Sequence, residues 1–392
     1  MSLCISGEPI KLEHSISYDP AGADLEFLQN VPEKPAVFAI FPESHSSPYI
    51  GRTQNLRRRF HRLLSVSQSP SRRLNLRDFA HEIRFQLTGS SFEVQWLLYG
   101  LNREFYPDQY RKRLRLRLPV LVKVKLRNRF PRCYPTRRLS NDGSYYYGPF
   151  ASRREADRFT SEFLDLFKIR RCVPDLNPDP SHPGCIYSQM QMCLAPCFKG
   201  CTDNEYQREV SRVIDFLQSE GQSLARALEG ERQQASESLE FEQAARIHRK
   251  LEKIQDVERS KGELARPVSR LNAVMVLPGA EERSVAFFKV EGGRLSGPFT
   301  LSLDEKVSTP VPLDEQLRLL LGSWAKTAGD SGVAAGHSDL PSWEHLSMLA
   351  RWYYSSFRQG ELVMLPANRE IPHARIIRLC RKMLATFEPD QR

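Results

Sequence analysis

Apolar and polar residues alternate over the first third of the chain in a way that predicts short strands and amphipathic helices. The apolar run PAVFAIF at 35–41 lies between prolines and predicts a strand, and PYIG at 48–51 predicts its hairpin partner beyond the polar turn ESHSS. Over 54–64, apolar residues recur at helical spacing among basic ones. The next predicted elements are a strand around 83–87 and a helix over 93–106.

The middle of the chain is predicted to be mainly helical after one strand. RLPVLVKVKL at 117–126 alternates apolar and basic residues, which predicts an exposed strand. A helix is expected over 152–167. A longer helical stretch over 203–259 predicts a hairpin with a break near Gly221 or Gly230.

Strands are predicted again after Leu271, where the composition changes. NAVMVLP, RSVAFFKVEGG and RLSGPFTLSL indicate three successive strands with a Gly-Gly turn. Residues 1–30 are expected to be a loosely held leader. The remaining predictions are a flexible loop over 326–340, an aromatic helix over 342–358, the buried strand ELVMLP and a basic helix over 373–387.

These elements predict an α/β protein of several domains. A chain of 392 residues is long enough for roughly two to four domains with separate cores. No apolar run approaches the length that crosses a membrane, and the first residues lack the pattern of a secretory signal. We therefore expect a cytoplasmic protein that binds no membrane.

The charge of the chain favours a polyanionic partner. The formal net charge is +10, which a generally basic composition would also give, but the basic residues are clustered ahead of the cysteines. Side chains of this kind bind phosphates whatever the base sequence, and salt weakens such binding. The clusters are Arg52, Arg57, Arg58, Arg59, His61 and Arg62, then Arg72, Arg73 and Arg77, then Arg111, Lys112, Arg113, Arg115, Arg117, Lys123, Lys125, Arg127 and Arg129.

Four cysteines, Cys172, Cys185, Cys193 and Cys197, are spaced C-x12-C-x7-C-x3-C in a proline-rich segment. Such a segment buries little apolar surface, and thiolates around a metal or iron–sulfur centre would order it instead. Disulfides would need an oxidising compartment, and free thiols are the other alternative. The spacing does not fit the two C-x2-C knuckles of a zinc ribbon. Cys201 follows and is a possible substitute ligand.

The second arm of the predicted helical hairpin carries an apolar stripe. In LEFEQAARIHRKLEKI at 239–254, apolar residues fall at steps of three and four, while charged residues fill most other positions. This stripe predicts either an ordinary packed helix or a surface that docks a partner helix.

Taken together, these stretches resemble the UvrC family, the incision subunit of bacterial nucleotide-excision repair. The C-L-A-P-C core at 193–197 resembles the family's iron–sulfur site, and LEFEQAARIHRKL resembles its UVR motif, which docks on UvrB. AVF at 36–38 with PYIGRTQNLRRRF at 48–60 resembles its GIY-YIG nuclease module. FPRCYPTRR at 130–138 and the turn-rich DGSYYYGPF at 142–150 resemble its connecting segments. The chain is short for the family, without a recognisable helix-hairpin-helix tail, and we expect a truncated, Cho-like relative.

The resemblance implies a domain plan and cofactors. It implies a [4Fe-4S] cluster, with zinc as the alternative, held by Cys172, Cys185, Cys193 and Cys197, and Mg²⁺ if the nuclease is active. It implies double-stranded DNA and a UvrB-like subunit as partners. The expected plan is a leader (1–30), a GIY-YIG-like α/β module (31–112), a connecting region (113–167), a cysteine-cluster segment (168–203), a helical hairpin with the UVR-like motif (204–262) and an incomplete RNase H-like α/β module (263–392).

The resemblance also assigns roles to individual residues. Tyr49, Arg52 and Arg59 match catalytic positions of the GIY-YIG module, and Gly51 is expected to permit a tight turn. Three positions depart from the pattern: Phe38 replaces a tyrosine, Leu98 replaces the metal-binding glutamate, and an expected asparagine falls on Tyr110 or Arg111. The implied DNA-binding residues are Arg57, Arg58, Arg62, Lys112 and Arg113, and the implied partner-binding residues are Leu239, Phe241, Ala244, Ala245, Ile247 and Leu251.

Three functions follow from these assignments. The first is a metal-dependent endonuclease that cuts damaged DNA, and the second is a pseudo-nuclease that binds DNA and a UvrB-like partner. The third is a regulator whose metal site senses redox state. No second nuclease site can be assembled from Asp304, Asp314, Asp330 and Glu361, whose spacing suggests surface loops.

Overall fold

The molecule is a mixed α/β protein with three four-stranded antiparallel sheets in its described part. The structure is a computed structural model, and it describes residues 12–20, 24–43, 47–65, 74–302, 313–330, 342–366, 368 and 370–385, with no side-chain description for 24–26, 313, 323–330 and 384–385. Arg72, Arg73 and Asp304 lie outside this part. No helix in these ranges is both long and apolar enough to cross a membrane.

The first module is a sheet with helices on both faces. Its strands are β1 (His14–Ser17), β2 (Ala36–Phe41), β3 (Tyr49–Thr53) and β4 (Glu82–Leu87), in the order β1-β4-β2-β3. Its helices are α1 (Asp24–Gln29), α2 (Leu56–Leu64), α3 (Ser91–Phe105) and α4 (Tyr110–Arg113). Asn55 and Ser90 cap α2 and α3 because their side chains accept the free N–H groups of Arg58 and Glu93. The predicted strands and helices of this module are confirmed.

The expectation of a loose leader is wrong for its second half. β1 pairs with β4 along its whole length, from His14 opposite Phe85 to Ser17 opposite Glu82. Tyr18, directly after β1, is buried in the core beneath α2. The segment carries few apolar residues, and it is held by backbone pairing to a strand edge, which its own sequence does not signal.

Helix α3 is shared between two modules. Its Leu97 and Leu101 pack on Val37 of the first sheet. Its other side carries Phe92 and Trp96, whose rings lie 4.9 and 5.8 Å from the ring of Phe288 in the third module. Both faces of α3 are therefore buried, and the first and third modules are packed together through it.

The second module combines a sheet with a helical layer. Its strands are β5 (Val120–Val124), β6 (Cys133–Thr136), β7 (Tyr145–Phe150) and β8 (Arg266–Pro267), in the order β6-β5-β7-β8. Its helices are α5 (Arg153–Leu164), the single turn α6 (Ile186–Gln189), α7 (Asp203–Gln218), α8 (Gln222–Glu237) and α9 (Phe241–Ser260). One apolar core joins β5, α5 and α7 to α8 and α9. The prediction of a turn-rich connecting segment is wrong for 145–150, which form a buried strand.

The prediction of an exposed strand over 117–126 is wrong. All five residues of β5 are buried, because β5 is covered by a strand on each side and by α5. Lys123 is only 5% exposed, and its Nζ donates to the carboxylate of Asp142 at 2.7 Å. Burial is the largest influence on this carboxylate and would raise its pKa, but the hydrogen bonds from Lys123 and Ser144 hold the pKa of Asp142 well below the ordinary value.

The helical stretch contains three helices. The break at Gly221 is confirmed, since this glycine has φ +83° and precedes α8. Gly230 lies inside α8 and breaks nothing. A second break, which was not predicted, occurs where Leu239 adopts φ +60° between α8 and α9.

The third module packs helices on both faces of its sheet. Its strands are β9 (Ala273–Pro278), β10 (Ser284–Glu291), β11 (Arg294–Ser302) and β12 (Glu361–Met364), in the order β11-β10-β9-β12. Its helices are α10 (Leu313–Asp330), α11 (Trp343–Tyr353) and α12 (His373–Ala385). These strands and the last two helices confirm the predictions. The predicted loop over 326–340 is wrong at its start, because α10 continues to Asp330, while 331–340 lies outside the described residues.

Candidate nucleic-acid interface and cysteine site

Tyr49 and Arg59 are brought together by the turn from β3 into α2. Nη2 of Arg59 donates a hydrogen bond to the hydroxyl oxygen of Tyr49 at 3.1 Å. Nε of Arg59 is buried without a hydrogen-bond partner. Nε of Arg59 therefore keeps an N–H group that could donate to a phosphate oxygen once the side chain has moved slightly.

Phe38 and Gly51 explain the local backbone at this site. They are directly paired across β2 and β3, and a Cβ on Gly51 would lie 2.5 Å from Cζ of Phe38. Gly51 is thus required by the close approach of the ring inside the hairpin, and the expectation that it permits a tight turn is wrong. Phe38 is fully buried, and its ring offers no hydroxyl beside Tyr49.

Leu98, at the position expected for a metal-binding glutamate, lies in an apolar cluster. Its neighbours there include Val37, Ile50 and Leu101. Tyr49 and Phe38 belong to the core on the other face of the first sheet. The sheet therefore separates Leu98 from the Tyr49–Arg59 pair.

The two other carboxylates of α3, Glu93 and Glu104, do not take the place of the expected glutamate. Glu93 is buried near the start of α3, where its Oε2 accepts the N–H of Gly89 at 2.7 Å. Burial raises the pKa of Glu93 to about 7. Glu104 lies on the exposed side of α3. In the third module, Asp314 and Glu361 pair separately with arginines.

The basic residues of α2 and β3 divide into two groups. Arg57 is tied into the fold, because its guanidinium donates to the backbone oxygen of Val31 at 2.8 Å and to Glu33 at 2.6 Å. Its assignment as a DNA-binding residue stays a prediction. The hydrogen bonds to Val31 and Glu33 already use donors of its guanidinium. Arg52, Arg58 and Arg62 are exposed.

The second basic cluster meets the first at the start of β3. The hydroxyl of Tyr106 donates to the backbone oxygen of Pro48 at 2.6 Å, next to Tyr49. The guanidinium of Arg113 lies 3.8 Å from the centre of the Tyr106 ring and donates to Oδ1 of Asn102 at 2.7 Å. These contacts place α4 beside β3, and Lys112 projects from α4 as an exposed cation.

The four cysteines lie in a loop-rich segment whose backbone is unusual. Gln191, Ala195 and Lys199 are non-glycine residues with φ between +55° and +59°. Such residues cost on the order of 1 kcal/mol each and persist only where the surroundings fix them. Apolar burial fixes little here, since Val173, Ile186 and Met190 are exposed by more than 60%.

The thiol of Cys193 is influenced by the other three cysteines of the group. Burial raises the pKa of Cys193 to about 11, and Cys172, Cys185 and Cys197 add to the rise. The N–H of Ala195 donates to Sγ of Cys193 at 3.3 Å. As placed, no three His, Cys, Asp or Glu side chains in the described ranges are arranged to hold a metal ion.

Cys201 differs from the other four in its surroundings. Burial raises its pKa, and the other contributions come first from Glu205 and Asp203 and then from Cys197 alone among the cysteines. It lines a cavity of about 610 Å³ with Arg129 and Lys199. The structure therefore sets Cys201 apart from the group of four.

The predicted partner-binding stripe is divided by the hairpin. Ile247 and Leu251 are buried between the helices. Leu239 and Phe241 are 71% and 66% exposed at the tip between α8 and α9. Ala244 is half-buried and Ala245 is exposed.

Two residues that support these sites were missed from the sequence. Arg170 is fully buried beside Cys172, although its basic character predicts a surface position. Tyr206 is buried and donates its hydroxyl to the backbone oxygen of Pro131 at 2.8 Å. The only available signal was that Arg170 lies two residues before the first cysteine.

Two family models match consecutive parts of the second module. Residues 120–216 match the family model described as UvrC/Cho excinuclease, middle domain, which spans β5 to α7. Residues 222–257 match the UvrB/uvrC motif, which coincides with α8 and α9. No solved structure matches the chain.

Several curated proteins named UvrABC system protein C are similar to the chain. The protein from Syntrophomonas wolfei is 30% identical over 289 residues, covering 72% of this chain and 47% of that protein. The protein from Carboxydothermus hydrogenoformans is 28% identical over 306 residues, covering 74% and 48%. The chain thus spans about half the length of the curated relatives it matches. It belongs to the UvrC family, with which it shares the middle domain and the UVR motif.

Proposed function

We propose that the chain acts in nucleotide-excision repair as a protein that binds DNA and a UvrB-like partner, and that its first module does not itself cut DNA. The observation that carries this proposal is the single apolar core shared by the UvrC middle domain and the UVR hairpin. Such a core presents the hairpin tip on a rigid support.

The exposed tip supports partner docking. Leu239 and Phe241 are exposed apolar side chains at the tip of the hairpin, in the middle of the UVR motif, and exposed apolar groups of this kind mark interaction sites. Ile247 and Leu251 hold the hairpin together, so their contribution to docking is indirect.

The basic surface near β3 supports DNA binding. Arg52 of β3 and Arg58 and Arg62 of α2 are exposed. Lys112 and Arg113 lie on α4, which contacts the start of β3 through Tyr106. Phosphate contacts from these groups would be independent of sequence and weakened by salt.

The cysteine segment supports a metal centre, with an iron–sulfur cluster as the first choice and zinc as the alternative. Cys172, Cys185, Cys193 and Cys197 supply a complete set of four thiolates. The N–H of Ala195 and a guanidinium N–H of Arg170 are directed at two of the sulfurs, and hydrogen bonds to sulfur are a known means of tuning such centres. When bound, the centre would supply structural order to a segment with little apolar core.

Two positions in the described part of the first module support the adaptor role, because they lack groups that the family pattern uses for phosphodiester hydrolysis. A nuclease of this kind requires a carboxylate to hold Mg²⁺ and groups to activate water. Leu98 is apolar and Phe38 has no hydroxyl, whereas Tyr49 and the arginines of the pattern are retained. A retained incision activity is the second candidate, and the intact Tyr49–Arg59 hydrogen bond favours it.

An incision and binding assay separates the two candidates. Anaerobically purified protein is given damaged duplex DNA with Mg²⁺ or Mn²⁺, with and without a UvrB-type protein. We expect salt-sensitive DNA binding and partner binding without cleavage. Cleavage that Tyr49→Phe and Arg59→Ala both abolish would refute the adaptor role.

Matched variants test the two surfaces separately. Arg58→Gln with Arg62→Gln should weaken DNA binding, whereas Arg153→Gln, an exposed arginine paired with Asp157, should not. Phe241→Asp should abolish binding to the UvrB-type protein, whereas Leu319→Asp, which alters an equally exposed residue of α10, should not. Equal effects of test and control variants would contradict the assigned surfaces.

A further inference from the structure

Arg170 is a buried cation next to the cysteine segment. Its side chain is 1% exposed, and it is one of the largest fully buried side chains in the described part of the molecule. Its backbone N–H donates to the hydroxyl of Tyr206 at 2.9 Å. The arginine is therefore fixed at the junction between the segment and the core of the second module.

The guanidinium of Arg170 is only partly satisfied. Nε donates to the backbone oxygen of Phe130 at 3.0 Å, and Nη1 donates to the backbone oxygen of Pro174 at 2.6 Å. Nη1 also donates to Sγ of Cys172 at 3.6 Å. Nη2 is buried without any hydrogen-bond partner.

No carboxylate balances this charge within the part of the chain that the structure describes. The adjacent Arg171 pairs with Asp165 at 2.7 Å, whereas the hydrogen bonds of the Arg170 guanidinium go to two backbone oxygens and one sulfur. A buried charge without a counterion is strongly unfavourable, and proteins pair such charges. The arrangement is thus incomplete unless a negative charge develops nearby.

Metal binding would create that negative charge at the cysteines. Thiols lose their protons when they ligate a metal, and four thiolates outweigh the positive charge of a zinc ion or an iron–sulfur core. We propose that Arg170 is the counterion and positioning residue of the thiolate–metal site, orienting Cys172 and stabilising the site's more negative states. This inference rests on the metal site proposed above.

The proposal distinguishes the two possible metals. With an iron–sulfur cluster, Arg170 would favour the reduced form, which carries one more negative charge, and so raise the midpoint potential. With zinc, it would raise metal affinity alone. Both effects have one cause. A buried cation lowers the electrostatic energy of a nearby site with net negative charge, because the protein interior screens charges less than water does.

The test compares Arg170→Met and Arg170→Lys with the control Arg171→Gln in the full chain. Iron, zinc and acid-labile sulfide are measured after anaerobic purification, followed by metal affinity, redox titration and thermal unfolding with and without metal. We expect Arg170→Met to lower metal affinity roughly 10- to 100-fold. A cluster-bearing protein should also show a midpoint potential lower by about 59 mV for each tenfold change in relative affinity.

Two further readouts separate charge compensation from simple packing. Arg170→Met should destabilise the metal-loaded protein more than the metal-free protein, and Arg170→Lys should retain more of the affinity than Arg170→Met. Equal destabilisation of both forms, or equal affinity in wild type and Arg170→Met, would overturn the inference and leave the metal site standing. A wild-type protein that binds neither iron nor zinc would overturn both. Arg171→Gln should leave affinity and potential unchanged, and a matching loss there would also count against Arg170.

Discussion

Glu93 should make the stability of the molecule depend on pH through a single buried carboxyl group. Its side chain is 4% exposed near the start of α3, and burial raises its pKa from 4.5 to about 7. The hydrogen bond from the N–H of Gly89 at 2.7 Å favours the charged form but does not outweigh burial. The protonated carboxyl is therefore the form that the folded molecule prefers.

The sign and size of the effect follow from this pKa. Because the folded pKa lies above the unfolded one, the stabilising contribution is fully present below pH 4.5 and is lost as the pH rises through about 7. A tenfold change in proton affinity is worth about 1.4 kcal/mol. The loss between these two values is therefore about 3 kcal/mol of unfolding free energy.

The variant Glu93→Gln keeps the acceptor for Gly89 and removes the titration. Urea unfolding of wild type and variant, followed by tryptophan fluorescence from about pH 4 to about pH 8, gives the difference in unfolding free energy. This difference should shift by about 3 kcal/mol in favour of the variant as the pH rises. Glu104→Gln, on the exposed side of the same helix, serves as the control. Parallel stability curves for wild type and Glu93→Gln would refute the reasoning.

Three further predictions concern packing, the metal site and the buried ion pair. Gly51→Ala should lower the free energy of unfolding by about 1–3 kcal/mol, because the added Cβ would meet the ring of Phe38. Adding Phe38→Leu to this variant should recover part of the loss, as measured by urea unfolding. If the two substitutions changed the unfolding free energy independently, the contact would be contradicted. Anaerobic removal of metal should open residues 172–201 to a protease while the core of the second module stays protected; unchanged cleavage would argue against a structural metal. Lys123→Met should cost about 1–3 kcal/mol in thermal unfolding because Asp142 loses its buried partner, and an unchanged melting temperature would show that the pair contributes nothing.

Local patterns predicted most elements of the fold because burial in these elements follows the sequence period. β2 is a continuous apolar run, and α2 buries Leu56, Phe60 and Leu63 on one side. The failures arise where distant residues decide the outcome. The local pattern predicts that Lys123 is exposed. It can be buried because it pairs with Asp142, which lies nineteen residues further along the chain on a loop.

The candidate sites were predictable to different degrees for similar reasons. The pairing of Tyr49 with Arg59 depends on a short segment, and the structure brings these two residues together. The cysteine spacing also lies in a short segment, but the metal site stays a prediction, since no three described His, Cys, Asp or Glu side chains are arranged to hold a metal ion. The buried position of Arg170 depends on Phe130 and Tyr206, which are distant in sequence. The break at Leu239 goes against the preference of leucine for right-handed backbone, so the sequence carried no sign of it.

The sharing of α3 between two sheets has a consequence for synthesis on the ribosome. The first sheet and α3 are complete once residue 105 has emerged, but the side of α3 that carries Phe92 and Trp96 packs against aromatic residues of β10 and α11. Those elements are made roughly 180 to 250 residues later, which takes on the order of ten seconds or more at bacterial elongation rates. During that interval the nascent chain presents Phe92, which the finished protein buries fully, and Trp96, which it buries in part, so this is the stage at which non-specific association of the chain is most favoured.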